Sequence, residues 1–131
     1  LDQSPLEDIF PACKKREIGI IIGSPYASGV LALGSKYQST YGYVPPDNEI
    51  LKKVKSIESI CKEYNLPLKA ASLQFPLFHP LVASVIPGML DREEVLVNIQ
   101  MIRHPIPEEL WLELKKCELL HPDAPVGLPN V

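Results

Sequence analysis

The segment Pro67–Asn98, PLKAASLQFPLFHPLVASVIPGMLDREEVLVN, decides how this chain is read. Leu68 to Phe75 or Leu77 reads as an apolar helix closed by His79-Pro80. Val82 to Ile86 reads as a short buried strand, followed by Pro87-Gly88. Asp91 is an N-cap for a helix from Arg92 to about Met101. A strand that runs straight into a helix N-terminus is a natural anion site. The first backbone N–H groups of the helix have no partner inside it.

Working outward, Leu6–Arg16 has a helical pattern, with Leu6, Ile9, Phe10 and Cys13 on one face. Ser4-Pro5 reads as its cap and first position. Pro11 inside it predicts a kink or a late start. Ile18–Ile22, IGIII, is a β-branched run interrupted at Gly19, read as a strand buried on both faces in a parallel sheet. Gly23–Gly34, GSPYASGVLALG, reads as a loop able to approach a ligand closely. Ser35–Val44 carries Tyr37, Tyr41 and Tyr43 and reads as a second loop, either touching a ligand or packed at the surface.

The clearest helix is Asn48–Tyr64, introduced by Pro45-Pro46-Asp47. Ile50, Val54, Ile57, Ile60 and Cys61 form its apolar face, and Lys52, Lys53, Lys55 and Glu58 the opposite one. Asn65 is its stop. Pro105–Leu120 gives a last helix anchored by Leu110, Trp111, Leu114 and Leu119. His121–Val131 is a Pro-rich tail read as extended. Strands alternating with helices imply βαβ units and parallel pairing. Two strands alone make no stable parallel sheet, so the chain needs more strands or a second copy.

The 131 residues suffice for one domain, and 46% hydrophobic with 22% charged is globular composition. A net charge of −3 argues against nucleic acid as a partner. No apolar run approaches the roughly 18 residues of a membrane span. The opening LDQSPLEDIF has neither an initiator Met nor a secretory signal, which suggests a piece of something longer. Cys13, Cys61 and Cys117 are odd in number, far apart and without a CxxC pair. They read as buried or half-buried free thiols in a reducing cytoplasm. Fourteen scattered prolines mark firm element boundaries rather than a linker.

His79, His104 and His121 each precede a proline and share no metal-ligand spacing, so no metal is expected. Ser24 and Ser28 lack the nucleophile-elbow spacing. The stronger candidates are the two strand ends, Gly23–Gly29 and Pro87–Asp91. In α/β folds, ligands bind at the carboxyl ends of parallel strands.

Here a resemblance enters. Gly19–Leu31, GIIIGSPYASGVL, resembles the seventh-strand segment of the aldo/keto reductases, through Pro25, Gly29 and Leu31. Ser84–Asn98, SVIPGMLDREEVLVN, resembles the family's eighth strand and following helix, through Ile86-Pro87-Gly88 and Asn98. His104–Leu120 and Leu1–Gly19 are similar to one branch, that of the L-fucose, D-threo-aldose 1- and pyridoxal 4-dehydrogenases. The resemblance implies the carboxyl-terminal half of a (β/α)8 TIM barrel, incomplete here, with residues 1–131 as one partial domain. It implies NAD or NADP as cofactor and hydride transfer to or from a carbonyl. The family's Asp, Tyr, Lys and His tetrad belongs to the first half of the barrel. No catalytic residue is therefore assigned, and Tyr37, Tyr41 and Tyr43 do not take that role.

Carried over residue by residue, Ser24, Pro25, Tyr26, Ser28, Gly29 and Leu31 would run along the pyrophosphate and adenosine ribose. Ile86, Gly88, Met89 and Leu90 would flank the adenosine phosphate. Glu94 and Asn98 would face the adenine. Members that prefer NADP carry Arg or Lys just after Ile-Pro-Gly or at the position of Glu94. Leu90 and Glu94 stand there, which favours NAD, although Arg92 is placed to swing across. The expectation is a dehydrogenase fragment, inactive alone, whose parent acts on a small aldehyde or sugar. The alternative is a non-catalytic half-barrel used for nucleotide binding or protein association. Half a barrel exposes strand edges, so self-association through Ile18–Ile22 or Val82–Ile86 is expected.

Overall fold

The computed structural model describes residues 1–36 and 38–127. A 3-10 turn at Ser4–Leu6 precedes helix α1, Ile9–Lys15. The Asp8 carboxylate accepts from the Ile9 N–H at 2.6 Å, so the helix starts late. Pro11 thereby falls in the first turn, where a missing N–H removes no helical bond.

Strand β1, Ile20–Gly23, pairs in parallel with β2, Val82–Ile86. Ile20 faces Val82, then Ile21, Ile22 and Gly23 face Ser84, Val85 and Ile86, with a bulge between Ile20 and Ile21. Between the strands lie α2 (Val30–Leu33), α3 (Asn48–Glu63) and α4 (Leu68–Gln74). After β2 come α5 (Arg92–Ile102) and α6 (Glu108–Lys116). The described residues thus form an α/β unit with two parallel strands, consistent with part of a barrel.

Local chemistry sets the boundaries. The Asp47 carboxylate accepts from the Ile50 N–H at 2.8 Å and caps α3. Asn65 ends α3 in the left-handed region at φ 54°, with the Leu66 N–H returning to the Cys61 carbonyl at 2.8 Å. Pro76 lacks an N–H, and α4 tightens into a 3-10 turn over Phe75–Phe78. Gly34 sits at φ 74°, and a Cβ there would lie 2.5 Å from a Glu58 carboxylate oxygen. That carboxylate accepts from the Ser35 N–H and hydroxyl at 3.3 and 2.9 Å, so a Cβ at Gly34 would displace the carboxylate from the clasp, and the positive φ also favours glycine.

The core lies between α3, α4, α6 and the Phe75–Phe78 turn. Trp111 is 2% exposed and packs against Phe75 and Phe78 at centroid distances of 6.1 and 4.9 Å. Side chains buried this fully contribute about 3–5 kcal/mol each when measured by truncation. A smaller cluster joins Val30, Leu31 and Val54.

Four expectations are corrected. Ile21 is 62% exposed, so the first strand is not buried on both faces. Ile20, Ile22, Val82 and Val85 are half-buried, whereas Ile21, Ser84 and Ile86 are exposed, because the helices of this chain cover one face of the sheet. The Gly23–Gly34 stretch is not all loop: it forms α2, which buries Val30 and Leu31. Over residues 121–127 the tail is not simply extended. It turns at Pro122-Asp123, with the Ala124 N–H bonded to the His121 carbonyl and Ala124 only 1% exposed. Residues 128–131 of the tail lie outside the described residues. Cys117 is exposed, since it follows the last turn of α6, while Cys13 is half-buried and Cys61 buried.

Among the described residues no helix is long and apolar enough to cross a membrane.

Candidate functional site

The two strand ends lie side by side. The Ser24 N–H donates to the Ile86 carbonyl at 3.2 Å, extending the ladder by one residue. The chain then turns through four residues of positive φ: Ser24 (53°), Ala27 (49°), Ser28 (60°) and Gly29 (104°). Such angles are uncommon outside glycine and persist only where surroundings enforce them. Here Ala27 N–H bonds the Ser24 carbonyl at 2.8 Å, and Ser28 N–H bonds the Ser24 Oγ at 3.3 Å. The N–H groups of Gly29 and Leu31 both donate to the Tyr26 carbonyl, at 3.0 and 3.1 Å. Thr40 closes the turn: its hydroxyl donates to the Ser28 carbonyl at 2.5 Å, and its carbonyl accepts from Val30 N–H at 3.0 Å. Most of the turn's N–H groups are therefore satisfied internally. Its outward polar groups are the Ser24 and Ser28 hydroxyls.

Tyr26 reaches from this turn to α5. Its hydroxyl donates to Asn98 Oδ1 at 2.6 Å, and the two residues are 8% and 7% exposed. Burial pushes the Tyr26 pKa up to about 12, so the hydroxyl keeps its proton at neutral pH. Asn98 is the buried residue of α5, while Val95, Leu96 and Ile99 of the same helix are 38, 48 and 42% exposed. Asn98 Nδ2 is enclosed and has no hydrogen-bond partner. Leaving such a donor unpaired costs about 1–3 kcal/mol, so the amide calls for a partner beyond the side chains packed around it.

At the start of α5 the Asp91 carboxylate accepts from the Glu94 N–H at 2.8 Å. The Glu94 carboxylate accepts from the Leu90 N–H at 2.7 Å. This reciprocal cap already uses two of the donors on which an anion site would draw. Asp91, Glu93 and Glu94 also crowd the start with negative charge. Ile86, Met89 and Leu90 are 58, 45 and 94% exposed, and a Cβ on Gly88 would meet nothing within 4 Å. Gly88 has no left-handed angle, so what it offers is open space rather than conformational freedom.

The sequence-derived residues thus fall into two groups. Ser24, Pro25, Ser28 and Leu31 line a cavity of about 530 Å³, together with Phe10, Phe75, His79 and Tyr41. Ile86, Gly88, Met89, Leu90 and Glu94 are outside it, along the exposed approach to α5. Gly29 rests near Thr40 behind the turn. The Tyr26–Asn98 bond ties the β1 turn to α5. Tyr43 is 85% exposed, and Tyr37 lies outside the described residues.

The structure adds Thr40 and Lys69 to this region and gives His79 a place in it. Thr40 clamps the turn. Lys69 brings its ammonium to 6.0 Å from the Tyr26 ring. His79 enters the cavity wall with its ring edge-on to Phe10 at 4.3 Å, and burial and then Lys14 lower its pKa. None lies in a motif. Each meets the site through packing between distant segments. Among the described residues, no group of three or more metal-ligating side chains comes together.

Residues 1–119 match the family model described as "Aldo/keto reductase family". The chain is similar to the pyridoxal 4-dehydrogenase of Microbacterium luteolum, 32% identical over 120 residues, covering 92% of this chain and 35% of that protein. It is similar to a D-threo-aldose 1-dehydrogenase of Pseudomonas sp, 33% identical over 121 residues, covering 92% of this chain and 37% of that protein. It is also similar to the L-galactose dehydrogenase of Arabidopsis thaliana, 26% identical over 102 residues, covering 78% and 31% respectively. The chain spans about a third of the length of these curated relatives.

Proposed function

We propose, because this chain belongs to the aldo/keto reductase family, that it is the cofactor-holding part of a nicotinamide-dependent oxidoreductase. Its two strands correspond on this reading to the seventh and eighth of a TIM barrel, and residues 1–131 form one partial domain. The observation that carries the reading is the buried Tyr26–Asn98 pair with its unpartnered amide, set where two parallel strands end. An enclosed donor, open space at Gly88 and two serine hydroxyls on one turn suit a nucleotide, whose ring nitrogens accept and whose phosphates take hydroxyl donors.

The cofactor, when bound, supplies the hydride. The residues of this chain hold it. The Ser24 and Ser28 hydroxyls serve the pyrophosphate, with Pro25, Tyr26 and Leu31 shaping the wall beside the ribose and Gly29 giving the turn its left-handed angle. Ile86, Gly88, Met89 and Leu90 flank the adenosine phosphate, and Glu94 and Asn98 the adenine. The acidic start of α5 favours NAD over NADP, since a 2′-phosphate would meet the Glu94 and Asp91 carboxylates. The catalytic tetrad is placed in the part of the parent that this chain does not contain. The relatives' names point to a small aldehyde or sugar as the parent's substrate. Three widely spaced thiols fit a reducing cytoplasm.

The exposed Ile21 and Ile86 favour a second reading, a non-catalytic half-barrel that associates with other chains. Calorimetric titration with NADH and NADPH separates the two. On the first reading the chain binds NADH more tightly and oxidises no aldose by itself. Failure of the folded chain to bind either nucleotide would leave only the association module. Turnover by this chain alone would overturn the placement of the tetrad.

A further inference from the structure

We propose that the Tyr26 side chain is a latch, closed over the Asn98 amide, which must swing away before a nucleotide seats between the β1 turn and α5. The inference rests on the nucleotide-site reading above and adds a conformational step to it.

Asn98 Nδ2 has no partner and is also sealed from solvent. A donor in that position meets a ligand only if its cover moves. Tyr26 is the group on the same amide, bonded to Oδ1 at 2.6 Å. The closed arrangement satisfies one half of the amide and strands the other. An open arrangement releases both to whatever enters, so a ligand with an acceptor atom favours it.

The latch is able to move without unfolding its surroundings. The Tyr26 backbone is anchored separately, because its carbonyl accepts from Gly29 N–H and Leu31 N–H. Rotation of the side chain leaves those bonds in place. Nor does α5 depend on a packed apolar face near the latch, since Val95, Leu96 and Ile99 are exposed. The helix is held at its far end by Gln74, whose Nε2 donates to the Met101 and His104 carbonyls at 2.8 Å each. What opposes opening at Asn98 is one hydrogen bond, the burial of one ring and the Lys69 ammonium 6.0 Å from that ring.

Tyr26→Phe tests this in the full chain. The variant keeps the ring and loses the hydroxyl, which strands both amide atoms in the closed state and shifts the population toward the open one. The expected result is NADH binding tighter by about tenfold, the equivalent of one ordinary hydrogen bond to the closed state. Stopped-flow NADH fluorescence should show a concentration-independent limiting rate in the wild type that is lost in the variant. Unchanged or weaker NADH affinity in a variant of near-native melting temperature would overturn the latch and leave the nucleotide site standing. If Tyr26→Phe does not fold, the wild-type chain decides. The Asn98 side-chain amide resonances must shift on NADH addition, and binding with those resonances unmoved overturns the latch. A folded wild-type chain that binds no NADH removes the site and the latch together.

Discussion

Gln74 shows how one side chain holds two elements. It is 6% exposed on α4, and its amide donates to the Met101 carbonyl in the last turn of α5 and to the His104 carbonyl just beyond it. Gln74→Leu keeps a similar volume and removes the side-chain donor from both part-buried carbonyls, Met101 keeping the His104 N–H at 3.3 Å. The expected cost is about 1–3 kcal/mol, read as a lower urea midpoint with unchanged slope. An unshifted midpoint would mean that water replaces the amide. Residue identity was legible in the sequence where geometry forces it: Asn65 as a helix stop and Asp47 and Asp91 as caps all act as the local pattern predicts. Gln74, Thr40 and Lys69 were illegible, because their partners lie 27 or 30, 12 and 43 positions away and no local pattern records a contact at that distance.

At the scale of elements, α3, β2 and α5 fall within a residue of their sequence-derived bounds. Helix α3 has a strong apolar period and the Asp47 cap, α5 has the Asp91 cap, and β2 is bracketed by Pro80 and Pro87. Helix α2 was missed because Gly, Ser and Ala in GSPYASG read as loop, and four residues carry too little periodicity to contradict that. The reciprocal Asp91–Glu94 cap stabilises the α5 start, and under the proposed function the same carboxylates would set the charge that a cofactor meets there. Glu94→Lys is therefore expected to raise NADPH affinity relative to NADH by an order of magnitude or more, while lowering the melting temperature slightly through loss of the Leu90 N–H bond. Titration of the variant with both nucleotides measures this, and an unchanged preference would remove Glu94 from cofactor choice.

For the whole molecule, the helices cover one face of the two-stranded sheet and leave Ile21 and Ile86 on the other at 62 and 58% exposure. Leu90 and Val44 add apolar surface at 94 and 59%. Strand edges and apolar faces of this kind seek partners. Static light scattering at tens of micromolar is expected to give a mass above that of one chain, and the double variant Ile21→Lys with Ile86→Lys to lower it. A monodisperse wild-type monomer would count against self-association. By itself the sequence determined the family resemblance, the order of the main elements, the long α3 face and the positions of the two strand ends, because these follow from short-range periodicity, caps and motifs. Only the tertiary structure decided which face of β1 is open, that the Gly23–Gly34 stretch closes on itself through Thr40, and that Tyr26 and Asn98, 72 positions apart, share one buried hydrogen bond with a donor left over. Burial and long-range hydrogen bonding depend on how the whole chain packs, and no local stretch of residues encodes them separately.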